Sequence, residues 1–301
     1  MIECLLYVIV GAAQEVYLGN WFQSVDPILV LFISFFLTAA FFIAINIGNL
    51  NSLMRKVHKY WQWIVLINLS TTVGWVGFFL ALKTLEPAVV STLSFAIGPL
   101  LTLFFWQITG IGFRPTKAEV LTSIGVATGL CILVYVSLSG QSGIGDVQSG
   151  MRLALLYGFL SGVGVAGNTI FSKQLSRVGF STTEVLSSRF VLLVVTAGLF
   201  APVQLSSHID GLFLLKVFVI TILTIVGPVF LLQRGIEKTK PLLVSVLLSS
   251  MPVATYFFQI LDSRIEMSPY TLVGILLTIT SIITGILSQF SGDKETFSEE
   301  V

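Results

Sequence analysis

Ten stretches of this chain are apolar over about 20 residues, the length a helix needs to cross a bilayer. They cover residues 2–20, 27–48, 61–82, 88–108, 117–138, 151–171, 181–203, 211–232, 241–262 and 269–290. Hydrocarbon offers backbone groups no partners, so a run of this kind must close its hydrogen bonds within itself, as a helix. The connections are short, and the longest, 139–150, is rich in Gly and Ser. Only 10% of residues are charged, against about a quarter in a water-soluble domain, so the chain cannot cover itself in water. A net charge of +1 leaves no basic footprint for nucleic acid. The expected fold is all-α and integral to a membrane. Residues 1–13 lack a basic start and a small-residue cleavage site, so the first stretch is expected to stay as a helix. Cys4 and Cys131 both lie in apolar runs and are expected to be buried thiols, since no CxxC or His partner accompanies them.

The chain also says one thing twice. Superposing Pro99 on Pro252 pairs Thr102 with Thr255, Phe104 with Phe257 and Phe105 with Phe258. Arg114-Pro-Thr and Ser268-Pro-Tyr then open the next apolar run in each copy. A unit of roughly 150 residues has been duplicated. The expected division is a first five-helix repeat over 1–138, a linker over 139–150, a second five-helix repeat over 151–290 and a polar tail over 291–301.

Lys and Arg orient the spans. With the N-terminus in the cytoplasm, the cytoplasmic connections carry Arg55, Lys56, Lys59, Arg114, Lys117, Lys173, Arg177, Arg234, Lys238 and Lys240, with Lys294 in the tail. The other side has only Lys83 and Arg264 in its loops, with Arg152 and Lys216 at helix edges. Five is odd, so the second copy enters the membrane from the opposite side. Ten spans built as two inverted repeats, both termini cytoplasmic, is an arrangement found in secondary transporters, which bind near the midplane and rock one half against the other.

Three features then resemble the drug/metabolite transporter superfamily, in its EamA-type ten-helix branch. They are Ala81-Leu-Lys-Thr-Leu-Glu-Pro-Ala-Val-Val leading to Pro99, the stretch Thr183-Glu-Val-Leu-Ser-Ser-Arg-Phe with Arg189 inside the membrane, and the Pro252 segment. The resemblance implies a central cavity lined by the first, third, fourth, sixth, eighth and ninth segments, with the seventh outside it. It also implies export of amino acids, related metabolites or drugs, although some relatives import. Two positions depart from it. Val10-Gly-Ala-Ala-Gln-Glu15 stands where relatives often have a Trp-Gly-Ser-Asn-like run, and Ser34 stands where an Arg like Arg189 is common.

Polar residues within spanning helices face protein or water-filled space. Those expected to line a substrate cavity are Glu15, Asn68, Trp75, Phe79, Ser94, Asn168 and Tyr256. An ionised Glu15 costs roughly 2.5–3.5 kcal/mol at membrane depth, so it needs a partner, a proton or water. It could respond to protons, face a substrate amine, or sit in a fixed pair. Arg189 could clamp a carboxylate bidentately, but the placing of its helix favours an anchor to Glu184 or to helix-end carbonyls. Pro99, Pro252 and Gly227-Pro228 each interrupt a helix ladder, as hinges or as fixed kinks. GxxxG at Gly125–Gly129 and Gly158–Gly162 is read as close packing.

The function expected from these readings is secondary transport of a small organic metabolite by alternating access, with export of an amino acid or amino-acid-derived compound ahead of import by exchange. No GxxxxGK[ST] is present to power it with ATP. An enzyme is not expected, because His58 and His208 lie on opposite faces and no HExxH or intramembrane acid pair occurs. A channel fits less well, since channels usually carry rings of repeated acids or carbonyls. No catalytic residue, metal or cofactor is expected. The expected partners are a small-molecule substrate and the lipid bilayer, with proton coupling left open, no nucleic acid, a monomer or weak dimer as the assembly, and a bacterial inner membrane as the location.

Overall fold

Each apolar run becomes a helix where the structure describes it. The computed structural model describes residues 2–97, 101, 117–144, 149–201, 210–239, 244 and 247–298, without the side chains of 117–120, 123 and 285–298. Pro99, Thr102, Phe104, Phe105, Lys240 and His208 therefore lie outside the described residues. Among the described residues the structure is 84% helical and has no strand. The helices are α1 (Ile2–Trp21), α2 (Pro27–Ile45), α3 (Leu50–Lys59), α4 (Trp61–Leu82) and α5 (Pro87–Ala96) in the first half. After α6 (Lys117–Leu138) come α7 (Met151–Arg177), α8 (Thr182–Phe200), α9 (Gly211–Lys238), α10 (Met251–Leu261) and α11 (Pro269–Ser298). Among the described residues six of them are long and apolar enough to cross a membrane, and shorter apolar helices accompany them.

Local chemistry explains many of the boundaries. Asp26 caps α2 through the amides of Ile28 and Leu29, with Pro27 at the first turn where no N–H is needed. Ser181 and Glu184 form a reciprocal capping box at the start of α8. α3 was not expected, because 49–60 reads as a polar connection. Its Leu53 and Val57 nevertheless share one face and pack against Ile67, Leu175, Phe180 and Val185, an amphipathic spacing that the basic residues conceal. α11 also runs past residue 290, the expected end of the second repeat.

The packing follows a regular scheme. α1 lies against α9 and α10, while α7 lies against α4 and α5; α2 pairs with α8, α5 with α10, and α6 with α11. Small residues permit the closest of these approaches. At the α4–α7 crossing Gly74 and Gly164 face each other, and a Cβ on Gly164 would collide with the backbone of Gly74 and Ser70. At α6–α11, Gly129 meets Thr278 and the backbone of Gly274. Outward-facing side chains are large and apolar, Leu199 at 78% and Leu223 at 64% exposure among them. A hydrophobic exterior of that kind suits lipid and not water. Cys4 is buried against Gly235, whereas Cys131 is exposed on α6. The expectation of two buried thiols is corrected there, since an apolar run marks a membrane helix but not which of its faces meets lipid.

The connections gather at two ends. At one, Lys56 bonds Glu184 at 2.8 Å and the Gly179 carbonyl at 2.9 Å, Lys173 caps α9 through the carbonyls of Ile236, Glu237 and Thr239, and Thr182 bonds Glu237. Glu3 pairs with Lys238 at the same end, at 2.9 Å. At the other end Asn20 bonds Asp262 at 2.9 Å, Gln23 bonds the Lys83 carbonyl at 2.9 Å, and Ser268 bonds the Gln141 carbonyl at 2.6 Å.

Candidate functional site

The site begins on one face of α1. Tyr7, Gly11, Gln14 and Glu15 recur at i, i+4, i+7 and i+8, and all four are buried, so they form a stripe directed inward. Gly11 leaves room for the end of Met251, which a Cβ there would strike. Glu15 is 2% exposed. Its Oε2 accepts a 2.6 Å hydrogen bond from Thr255 Oγ1, and Thr255 in turn lies 3.5 Å from Ser91 Oγ. Oε1 has no partner among the described residues, and no ion pair joins Glu15 to a cation there.

Arg189 reaches the same space from a break in α8. The helix stops regular winding after Ser188 and resumes at Val191. Breaking a helix strands backbone groups that must be paired, and Asn68 of α4 pairs them. Its Nδ2 donates to the Ser188 carbonyl at 2.8 Å while its Oδ1 accepts from the Leu192 amide at 3.1 Å. The break turns Arg189 inward, where it is 3% exposed. Nη1 donates to Gln233 Oε1 at 3.1 Å, the guanidinium lies over the Phe190 ring, and Nε has no partner among the described residues.

Both charged groups line one central cavity. Its walls are Gly74, Trp75 and Phe78 of α4, Phe95 of α5, Ser161, Asn168 and Thr169 of α7, Val229, Leu232 and Ile236 of α9, and Leu248 and Met251. The volume open to the centre of a water-sized sphere is ≈ 50 Å³, room for a few waters and no more. A larger cavity of ≈ 600 Å³ lies toward the Asp262 end, between α1, α9 and the end of α10, with Tyr17, Asn20, Trp21 and Lys216 on its walls. Gln14 lines both cavities, and its Nε2 is buried without a partner among the described residues. Among the described residues no group of acids, His and Cys could hold a metal ion.

Residues 152–286 match the profile of the EamA-like transporter family. Over that stretch the chain is similar to the family. A protein known from its crystal structure is 19% identical over 95% of this chain and 97% of its own, with a TM-score of 0.64; at that identity the likeness shows the fold. No curated protein sequence matches the chain.

The structure gathers some of the residues singled out in the sequence and disperses others. Glu15, Trp75 and Asn168 line the cavity, with Asn168 accepting from Thr71 Oγ1 at 2.8 Å. Ser94 sits one layer back, 3.0 Å from Ser161. Phe79 is packed among Phe22, Phe35, Trp75 and Phe78, and Tyr256 donates to the Ser268 carbonyl at 2.7 Å; neither lines the cavity. Asn68 also stays out of it, occupied with the α8 break. Pro252 stands in the first turn of α10, where its missing N–H costs nothing. Before Gly227-Pro228 the α9 ladder widens into a π-turn over Thr221–Val226, which absorbs the donor that Pro228 lacks.

Arg189 needs a correction. Glu184 cannot anchor it, because Lys56 and the Ser181 cap already hold that carboxylate, and the seventh apolar segment reaches the cavity through this one side chain. Tyr7, Gln14 and Gln233 were not singled out. The α1 spacing of Tyr7, Gly11 and Gln14 around Glu15 is the signal that could have found the first two.

Proposed function

We propose that the chain is a secondary transporter that moves a small organic metabolite across a membrane by alternating access, most readily as an exporter of an amino acid or amino-acid-derived compound. The likeness of residues 152–286 to a transporter family supports the class. The observation that carries the mechanism is the buried central cavity, lined from both halves, with Glu15 and Arg189 each short of a partner. A purely structural interior would have paired or replaced such groups, because an unpaired buried charge is costly.

The packing scheme supports two inverted repeats. Adding five to each apolar segment of the first half, and subtracting five in the second, carries the first–eighth contact onto the sixth–third and the first–ninth onto the sixth–fourth. The second–seventh, fourth–ninth and fifth–tenth contacts map onto themselves. The basic end, with Lys56, Lys173 and Lys238, is then the cytoplasmic one by the distribution of positive charge. In this conformation Cys4 against Gly235 and Glu3 against Lys238 shut the cytoplasmic end. The wide cavity at the other end stops at Gln14, so release or capture from outside needs only a shift there, while access from the cytoplasm requires α1 to part from α9.

Untargeted profiling of cells with and without the chain tests the reading. One or a few amino-acid-type compounds should fall inside and rise in the medium when the chain is expressed. Profiles that do not differ would end the exporter assignment, and a compound gained inside would replace it with import.

A further inference from the structure

The ≈ 600 Å³ cavity at the Asp262 end is a groove with a polar end and an apolar length. Its α1 wall runs from Val10 to Trp21, about 17 Å at the rise of an α-helix. One leaflet of hydrocarbon is about 15 Å thick, half of a bilayer core. Val10, Ala13 and Val16 on α1 and Phe258 on α10 make the deep part apolar, and Thr224 there spends its hydroxyl on the Ile220 carbonyl. The groove also opens sideways. Ala13, Tyr17 and Asn20 continue the exposed stripe of α1 that begins with Leu6 and Ile9, the face that a spanning helix turns to lipid. Leu261, on the α10 wall, is 80% exposed. At the polar end Lys216 Nζ lies 4.5 Å from the centre of the Trp21 ring and 5.8 Å from that of Tyr17. No acid pairs with it among the described residues. Asp262, on the same walls, is already held by Arg264 at 2.6 Å and Asn20 at 2.9 Å.

We propose that this groove holds one phospholipid of the adjoining leaflet, with its phosphate on Lys216 and one acyl chain lying along α1 against Phe258 and Leu261. Depth, charge and shape each favour that occupant. Trp, Tyr and Lys side chains settle at the headgroup level of a bilayer, so the two rings hold the Lys216 ammonium where phosphates lie. Of the two charged residues on the walls, Asp262 is answered by Arg264, and Lys216 is left for an anion from outside the chain. The apolar length matches the reach of a chain through one leaflet, and the lateral opening gives it a way in from the bilayer. A soluble anion would meet the lysine and leave the apolar length unfilled, while a neutral diacylglycerol would fill the length and leave the lysine unanswered. The site does not rest on the carrier reading. On that reading, a seated chain has to shift before anything passes outward at Gln14.

The test titrates the full chain, purified in a mild detergent and stripped of lipid, with dioleoyl phosphatidylglycerol, dioleoylglycerol or glycerol phosphate. Bound molecules are counted by native mass spectrometry. One phosphatidylglycerol should be retained per chain ahead of any other, at least about fivefold more tightly than dioleoylglycerol, the factor that one lysine contributes near an anionic lipid. Glycerol phosphate should not displace it. Lys216→Gln should lower phosphatidylglycerol to the affinity of dioleoylglycerol, and Lys216→Arg should keep the difference. Ala13→Phe, which fills the apolar length, should weaken both lipids. If Ala13→Phe does not fold, the two lysine variants and the soluble competitor still decide. The site is overturned by any of four results: no lipid retained, dioleoylglycerol held as tightly as phosphatidylglycerol, displacement by glycerol phosphate, or phosphatidylglycerol held undiminished by Lys216→Gln or by a folded Ala13→Phe. An unchanged metabolite profile would end the carrier reading and leave this site standing.

Discussion

Glu86 and Glu15 are both acids in the interior, 1% and 2% exposed, and they are treated in opposite ways. Glu86, at the start of α5, accepts from Gln259 Nε2 at 2.8 Å on one oxygen, and from the Gly143 amide at 2.8 Å and Thr271 Oγ1 at 2.9 Å on the other. Gln259 turns its own oxygen to the Ala88 amide at 2.7 Å. One carboxylate thus ties the first half, the linker and the last two helices together. Glu15 has a single partner and an oxygen left over. Other residue types divide likewise. Asn68 uses both ends of its amide on backbone, while Asn168 accepts from one hydroxyl at the cavity wall. Arg264 is forked onto Asp262 at 2.6 Å, while Arg189 has no acid among the described residues. In each of these pairs the saturated member holds the fold and the less satisfied one lines the cavity, although Ser137, Ser172 and Gln233 also keep a buried polar atom without a partner among the described residues away from its walls.

The largest expected effect breaks function and spares the fold. Glu15→Gln should lower transport by about tenfold or more, the loss expected when a buried charge contact to a ligand is removed, while melting temperature in detergent stays near that of the wild type. The neutral amide keeps the bond to Thr255 and relieves a buried charge. A variant that melts early, or transports normally, would erase the distinction between the two acids.

Asn68→Leu should act in the opposite sense. The substitution orphans the Ser188 carbonyl and the Leu192 amide at the α8 break, at about 1–3 kcal/mol for each buried group. Thermal unfolding should reveal it, together with a loss of the geometry that points Arg189 inward. Restoring the amide with Asn68→Gln should recover less than half, because the longer side chain cannot place both ends at once. Unchanged stability would mean that water pairs the break.

How legible this was follows from the same contrast. The helices were readable because the membrane demands length and apolarity, and both are written locally. The cavity was partly readable: Glu15, Trp75 and Asn168 are large polar or aromatic groups where lipid would reject them. Pairing was not readable. Nothing near Glu184 in the sequence says that Lys56, on the connection after α2, takes it from Arg189. Nor does Asn68 carry any local mark of the bend it repairs 120 residues on. Glu86 was passed over inside a stretch that served only as a family resemblance. Each of these facts depends on which helices meet, and apolar periodicity specifies that weakly.

Glu86→Gln should cost about 1–3 kcal/mol, since a side-chain NH2 would then face the Gly143 N–H and leave it unpaired. Transport per folded molecule should persist, as Glu86 lies away from the cavity walls.

The smallest effect is the most specific. Burial pushes the Glu86 carboxyl above its ordinary value, against the bonds from Gln259, Gly143 and Thr271 that favour its charged form. An acid whose folded pKa is raised binds its proton more tightly in the native state than in the unfolded one. Its contribution to stability is therefore complete below the ordinary carboxylate value and is lost as pH rises through the raised one. The melting temperature should accordingly fall with increasing pH above about 4.3, the unperturbed Glu value, and this slope should be shallower in Glu86→Gln. An unchanged slope in that variant would assign it to another group. A slope of opposite sign would mean that the three donors outweigh burial, and that the staple between the halves is held as a true carboxylate.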